Sequence, residues 1–175
     1  MKGDRLNKNL ISGLVVVCLA LACPGAGGQD QGSQASPGSA QEVVLIKTPA
    51  EILTRQKLPN FVGVSGKTAG ARGLSMNLVI IPPGASAEPH FHRDFESAVY
   101  VLEGRVETRY GPGLERSVIT DAGDFLFIPP NVPHQPVNLS TTEAARAIVV
   151  RNDPDEQEHV VLYDPANEQA CDVVE

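Results

Sequence analysis

The stretch that decides the fold is GASAEPHFHRDFESAVYVLEG, residues 84–104. It places His90 and His92 one residue apart, and on a β-strand such a pair points to the same face because successive side chains alternate. Glu96 follows His92 at an even step of four, and His134 lies about forty residues further on. Three imidazoles and one carboxylate that converge inside a β-barrel form an N₃O set of metal ligands. The sequence therefore predicts a metal site made by His90, His92, Glu96 and His134.

Two spaced motifs contain these four residues. The first is Gly, five residues, His-x-His, three residues and Glu; the second is Gly, five residues, Pro, four residues, His, three residues and Asn. Their members are Gly84, His90, His92 and Glu96, followed by Gly123, Pro129, His134 and Asn138. In this order and spacing the chain resembles the cupin superfamily. The resemblance implies an all-β fold, the cupin double-stranded β-helix or jelly-roll barrel, and the chain shows no internal repeat that would make a second barrel.

The sequence departs from the cupin pattern at two points. Asn131 stands where the second motif has Gly, and since Asn tolerates a left-handed turn better than other non-glycine residues, the tight bend can survive. Seven residues instead of six separate Glu96 from Gly104, so counting back from Gly104 puts Ser97 in the carboxylate position. Glu96 is favoured as a ligand if the loop absorbs the extra residue. The alternatives are a site of three histidines only, or Asp94 as the carboxylate.

The N-terminal residues have the pattern of a targeting signal. A basic start precedes an apolar core of thirteen residues, 10–22, that ends in the small-x-small sequence Ala20-Leu21-Ala22. Such a core is too short to span a bilayer comfortably. Residues 1–22 are therefore predicted to be a signal peptide, and the protein to be exported to the periplasm or the cell exterior. Cys23 follows directly and resembles the lipidated first residue of bacterial lipoproteins, with plain cleavage and no lipid as the alternative.

The rest of the chain divides by composition into three parts. Residues 23–41 are rich in Gly, Ser, Ala and Gln, which is typical of a flexible linker. The barrel is predicted at 42–165, and an acidic tail at 166–175. Within the barrel region, the apolar run 43–46 predicts a buried strand. The sequence TPAE at 48–51 predicts a short N-terminal helix, with Thr as the cap and Pro in the first turn.

Short apolar segments recur beyond residue 73 between Gly and Pro turns. Several short strands at such spacing indicate a β-sandwich or a closed barrel. The phenylalanines of this region are predicted to have a packing role: Phe91, Phe95, Phe125 and Phe127. The predicted strand segments are 74–81, 98–102, 106–110, 125–128, 147–151 and 160–163.

Charge argues against one class of partner. The formal net charge is −7, and removal of residues 1–22 would make it −9. No basic run is present and aromatic residues make up only 5% of the chain, so no nucleic-acid partner is expected. Contact with a membrane is expected only through a lipid on Cys23. The cupin resemblance also implies a homodimer, since many cupin barrels pair through their outer strands.

The predicted ligand set indicates a class of function. Imidazoles with one carboxylate suit one divalent transition metal, which can be Fe, Mn, Ni, Cu or Zn. Four protein ligands leave a coordination position open for a small-molecule substrate or ligand. The favoured hypothesis is a metal-dependent enzyme, a dioxygenase or isomerase acting on a small oxygenated molecule. The alternatives are a non-catalytic barrel that binds a small molecule or sugar, and an extracytoplasmic metal-binding protein.

Overall fold

The computed structural model of the protein describes residues 42–47, 49, 51–155 and 157–167, and the backbone of 169–171. All of these belong to a compact unit of residues 37–175. No helix among the described residues is long and apolar enough to cross a membrane. The strands of the described part are β1 (Glu51–Leu53), β2 (Pro59–Val64), β3 (Ser75–Ile81), β4 (His90–His92), β5 (Ser97–Glu103), β6 (Arg105–Tyr110), β7 (Arg116–Asp121), β8 (Phe125–Ile128), β9 (His134–Asn138), β10 (Ala145–Arg151), β11 (Val160–Asp164) and β12 (Gln169–Cys171).

The strands form two antiparallel sheets of six. The first sheet has the order β1-β2-β3-β10-β5-β8, and the second has the order β12-β11-β4-β9-β6-β7. Chain neighbours such as β3 and β4 lie in different sheets, as in a jelly roll, where the chain passes back and forth between the two layers. The predicted all-β jelly-roll fold is confirmed.

Each of the six predicted strand segments is confirmed as a strand. Strand β10 shows why the pattern could be detected: its side chains alternate between buried and half-buried positions along its whole length. Ala145, Ala147, Val149 and Arg151 face inward, and β10 pairs with β3 on one side and β5 on the other. A strand paired on both sides at the centre of a sheet buries one face against the opposite sheet.

The apolar core contains residues from both sheets and from the loops that join the strands. Its buried members are Leu58, Ile81, Ala87, Val106 and Ala145. Gly104, between β5 and β6, has a φ of 87°, and a Cβ there would lie 2.9 Å from the Cα and Cβ of Ala145. Only glycine combines this left-handed backbone with such close packing.

Two predictions for the start of the barrel are wrong. Residues 43–46 form no strand, and Val43 is fully exposed. The helix predicted to start at 48–51 does not continue through Glu51–Leu53, because these described residues form β1 and pair with β2. The short α-helix, α1, instead spans Gly66–Ala69, after β2. It begins at Ser65, whose Oγ accepts a hydrogen bond from the Thr68 amide. Pairing with a neighbouring strand overrides the local helix signal at 48–51.

Phe125 and Phe127 lie on the outer face of the first sheet, where Phe125 packs against the ring of Tyr100. Strand β8 is at the edge of the first sheet, and its alternation turns Leu126 and Ile128 inward. The side chains of Phe125 and Phe127 are therefore 82% and 59% exposed. Strand β12 lies within 166–175, so strand pairing continues beyond residue 165. The predicted signal peptide, Cys23 and the linker 23–41 lie outside the described residues.

Candidate metal centre and cavity

Three of the four predicted ligands come together in the second sheet. His90 and His92 lie on β4, with Phe91 between them, and both are buried. His134 begins β9 and lies directly opposite His90 in the antiparallel pairing. The ring centroids are 4.3 Å apart for His90 and His134, and 5.2 Å for His90 and His92. Possible ligand nitrogens of the three rings lie within 4.8 Å of one another, so together they could hold a metal ion.

Backbone hydrogen bonds define the tautomers of two of these histidines. Nδ1 of His90 lies 2.8 Å from the carbonyl oxygen of Glu88, and Nδ1 of His134 lies 2.9 Å from that of Val132. A carbonyl oxygen only accepts, so Nδ1 carries the hydrogen in both rings. In a neutral imidazole the Nε2 lone pair is then available to a metal. This is the usual way in which a metal-binding histidine is oriented by a backbone partner.

His92 provides the test of whether a metal fits. Both of its ring nitrogens are buried, and neither has a hydrogen-bond partner. An unsatisfied buried polar atom costs about 1–3 kcal/mol, and one nitrogen that coordinates an ion would remove part of that cost. The histidines are thus suited to a transition metal in both position and donor chemistry.

The surroundings keep the three imidazoles neutral. Burial lowers the pKa of His134 to about 4, although its hydrogen bond to Val132 acts in the opposite direction. Burial is also the main reason that the pKa values of His90 and His92 are well below the usual range. The positive charge of Arg151 lowers the pKa of all three. Neutral imidazole is the form that binds a metal.

Glu96 is not brought to the histidines. It is exposed just before β5 begins, and its amide donates to Oδ1 of Asn152 at 2.9 Å. The next residue, Ser97, is 2% exposed and faces the interior. Asp94 is exposed too and accepts a hydrogen bond from Asn131. A step of one residue moves a strand side chain to the other face, so Ser97 occupies the inward position.

A cavity of about 70 Å³ adjoins the histidines between the two sheets. His90 and His134 line it, but most of its wall consists of aliphatic side chains from both sheets. A wider, more open pocket of about 390 Å³ shares part of this wall, including His134. The other polar residues around the inner cavity are Gln56, Ser97, Thr108, Thr120 and Arg151.

Sequence reasoning missed Gln56 and Arg151. Arg151 ends β10, is 6% exposed, and its Nε donates to Oγ of Ser97 at 3.1 Å. The alternation of β10 places Arg151 at an inward-facing position of an otherwise apolar strand. That position could have identified Arg151 from the sequence, because cations are rarely buried without a role or a partner. Gln56 lies in a turn, where no periodicity could indicate its direction.

Other motif residues hold the scaffold in place. Asn138 is buried and donates to three carbonyl oxygens, those of Ile81, Pro82 and Glu143. It therefore ties β9 to two neighbouring segments. Asn131 has a φ of 61°, which confirms the predicted left-handed turn. Its amide donates to the carbonyl oxygen of His92, so this turn also positions β4.

The fold and the histidine cluster agree with the comparison to protein families. Residues 77–151 match the family model described as "Cupin domain", and this segment contains all three histidines. The matched segment of the protein is therefore a cupin domain. None of the curated proteins is significantly similar to this cupin in sequence.

Solved structures show similar folds. An oxalate decarboxylase from Lactobacillus farciminis is 21% identical with a TM-score of 0.54; the match covers 62% of this cupin and 32% of that chain. An oxalate decarboxylase from Bacillus subtilis, described with Mn(II) centers, is 20% identical with a TM-score of 0.50 and coverages of 55% and 26%. The polyketide cyclase RemF from Streptomyces resistomycificus is 26% identical with a TM-score of 0.50 and coverages of 66% and 74%. This cupin spans about a third or less of the length of the two decarboxylases.

Proposed function

We propose that this cupin binds one divalent transition metal ion through His90, His92 and His134 and acts as a metal-dependent oxygenase on a small oxygenated molecule. The observation that carries the proposal is the group of three buried, neutral imidazoles beside an apolar cavity. Two of these rings have their Nδ1 atoms engaged by backbone carbonyl groups and their Nε2 atoms left for a ligand. Such a metal would supply Lewis acidity and electrons for a reaction with dioxygen.

The protein's own residues support substrate binding in three ways. The aliphatic wall excludes water from the inner cavity, which strengthens electrostatic interactions there. The guanidinium group of Arg151, which also lines that cavity, favours a substrate with a negative charge or an electron-rich oxygen. The wider pocket next to His134 has room for a larger part of the substrate. The reacting end would lie in the inner cavity.

The lining residues favour an oxygenase over an isomerase. An isomerase that moves a proton needs a positioned acid or base. The described residues around the inner cavity include no carboxylate, lysine, cysteine or tyrosine, and its two histidines are proposed as metal ligands. Oxygen-dependent chemistry places fewer demands on side chains because the metal and dioxygen supply the reactivity. The Mn(II) centers named for the Bacillus subtilis decarboxylase make manganese the first metal to test. Iron is the second, because Fe(II) held by histidines is the common metal of oxygenases.

The second candidate is a barrel that binds a small molecule without turnover. The same shortage of acid and base groups is the observation that favours it. A protein whose only ligand is the metal is less well supported, because the cavity of about 70 Å³ beside the histidines has no purpose in metal storage.

The proposal is tested by elemental analysis of the purified mature domain, alone and after anaerobic loading with Mn(II) or Fe(II). We expect about one metal per chain in the wild type and in His159→Ala, and almost none in the His90→Ala/His92→Ala variant. His159 is the matched control because it is the histidine outside the cluster. Oxygen consumption with a panel of small carboxylates then separates the oxygenase from the binding barrel. Equal metal content in all three proteins would contradict the proposed site.

Export, the lipid on Cys23 and a homodimer are proposals as well. Export would place the metal site outside the cytoplasm, where metal supply differs. The exposed rings of Phe125 and Phe127, on an edge strand, support pairing of two barrels through the outer face of the first sheet. Light scattering on the mature domain measures the number of chains directly.

A further inference from the structure

Gln56 is the least expected residue in the wall of the inner cavity. It lies in the turn between β1 and β2, yet it is only 4% exposed and lines the cavity together with His90 and His134. Hydrogen bonds between Thr54 and Leu58 close the turn on both sides of it. The turn therefore inserts an amide side chain into an interior that is otherwise mostly aliphatic.

The amide oxygen of Gln56 has no partner. Its Oε1 atom is buried and accepts no hydrogen bond. A buried acceptor left unsatisfied costs free energy, and an apolar side chain of the same size would avoid that cost. Gln135, the glutamine beside His134, differs in this respect, because its Nε2 donates to the carbonyl oxygen of Ala87 at 2.9 Å.

Gln56 is also tied to the metal centre through Glu88. The backbone N–H of Glu88 donates to the backbone carbonyl oxygen of Gln56 at 2.8 Å. The backbone carbonyl oxygen of Glu88 accepts a hydrogen bond from Nδ1 of His90 at 2.8 Å. An ion pair of 2.8 Å between Lys57 and the Glu88 carboxylate joins the same two segments. These bonds link the turn that carries Gln56 to the backbone group that orients the imidazole of His90.

We propose that Gln56 is a specificity residue that accepts a hydrogen bond from the ligand of the inner cavity. The proposal rests on the function proposed above, which places an oxygen atom of the same ligand at the histidines and Arg151. The ligand would then be a short carboxylate that carries a hydroxyl group away from its acid end. An apolar cavity of about 150 Å³ binds benzene, so a cavity of about 70 Å³ takes roughly three non-hydrogen atoms. The rest of a hydroxy acid would extend into the wider pocket that shares His134 with the inner cavity.

The test compares 3-hydroxypropionate with butyrate, which has a methyl group in place of the hydroxyl group. Both are titrated by calorimetry into zinc-loaded and metal-free protein, as wild type, Gln56→Met and Gln135→Met. We expect the wild type to bind the hydroxy acid about three- to tenfold more tightly than butyrate, the range that one neutral hydrogen bond provides. The preference should disappear in Gln56→Met and remain in Gln135→Met.

A measurement without ligand separates recognition from a structural role. If Gln56 is kept for ligand binding, Gln56→Met should unfold at a higher urea concentration than the wild type, because it removes an unsatisfied polar group. Gln135→Met should unfold at a lower concentration, because it breaks an existing hydrogen bond. Loss of stability in Gln56→Met, equal binding of the two acids, or binding of neither acid would overturn the proposal. If the wild type binds no zinc but still prefers 3-hydroxypropionate over butyrate, the result would overturn the metal site and leave the role of Gln56 intact.

Discussion

Acidification of the metal-free protein from pH 7 to pH 5 should lower its free energy of unfolding. The perturbation acts on the three histidines, which the fold buries in the neutral form. The pKa of His134 is lowered to about 4, whereas in the unfolded chain it is about 6.5. Between these values the unfolded chain binds a proton and the folded protein does not. The stability from this group is thus fully present above pH 6.5 and is lost as the pH falls towards 4.

The size of the effect follows from the same two pKa values. Protonation of His134 stabilises the unfolded chain by about 1.4 kcal/mol for each pH unit below 6.5. At pH 5 this residue alone therefore lowers the free energy of unfolding by about 2 kcal/mol. The pKa values of His90 and His92 are lowered as well, and they add to the loss in the same direction. Since a domain is stable by about 5–15 kcal/mol, a loss of this size is readily measured.

The assay is urea unfolding in EDTA at several pH values between 7 and 5. Aspartate and glutamate side chains titrate mostly below this range. In the His134→Gln variant the slope against pH should be smaller by up to about 1.4 kcal/mol per unit below pH 6.5, which amounts to about 2 kcal/mol at pH 5. His159→Gln, which leaves the cluster intact, should retain the cluster's contribution. If the wild type has the same free energy of unfolding at pH 7 and pH 5, the imidazoles are not buried and neutral as described.

Three further predictions concern single residues. His92→Ala should weaken zinc binding by more than about a hundredfold, whereas His159→Ala should not. Competition with a chromophoric chelator measures both affinities. If His92→Ala binds zinc as tightly as the wild type, His92 is not a ligand. Glu96→Gln should change zinc affinity by less than about threefold, while Ser97→Ala, which breaks the bond from Arg151, should lower the free energy of unfolding by about 1–2 kcal/mol. A tenfold loss in Glu96→Gln would restore Glu96 as a ligand. If Cys23 is lipidated as proposed, Cys23→Ser should move the protein from the detergent phase to the aqueous phase of a phase-separation assay. A wild type in the aqueous phase would indicate cleavage without a lipid.

Local patterns were sufficient for much of the barrel. The alternation of side chains put His90 and His92 on one face before any partner strand was known. Apolar segments bounded by turns marked β3, β5 and β10, because each buries one face in a packed sheet. Strands with weaker apolar character, such as β2 and β7, escaped detection. At 48–51 the capping residues favoured a helix, but pairing with β2 was the stronger interaction.

By itself, the sequence determined the β class of the fold and the histidine pair, since these depend on periodicity along the chain. His134 was connected to the pair by the resemblance of the motif spacing to the cupin pattern. Only the tertiary structure decided which of Glu96 and Ser97 faces inward, because strand register is set by the neighbouring strands and a single step reverses the face. It also placed Arg151 and Gln56 in the wall of the cavity. The alternation along β10 could have marked Arg151 as an inward-facing residue, but which cavity it lines depends on distant segments that pack together. For Gln56, in a turn, the local sequence indicates neither the direction of the side chain nor the cavity.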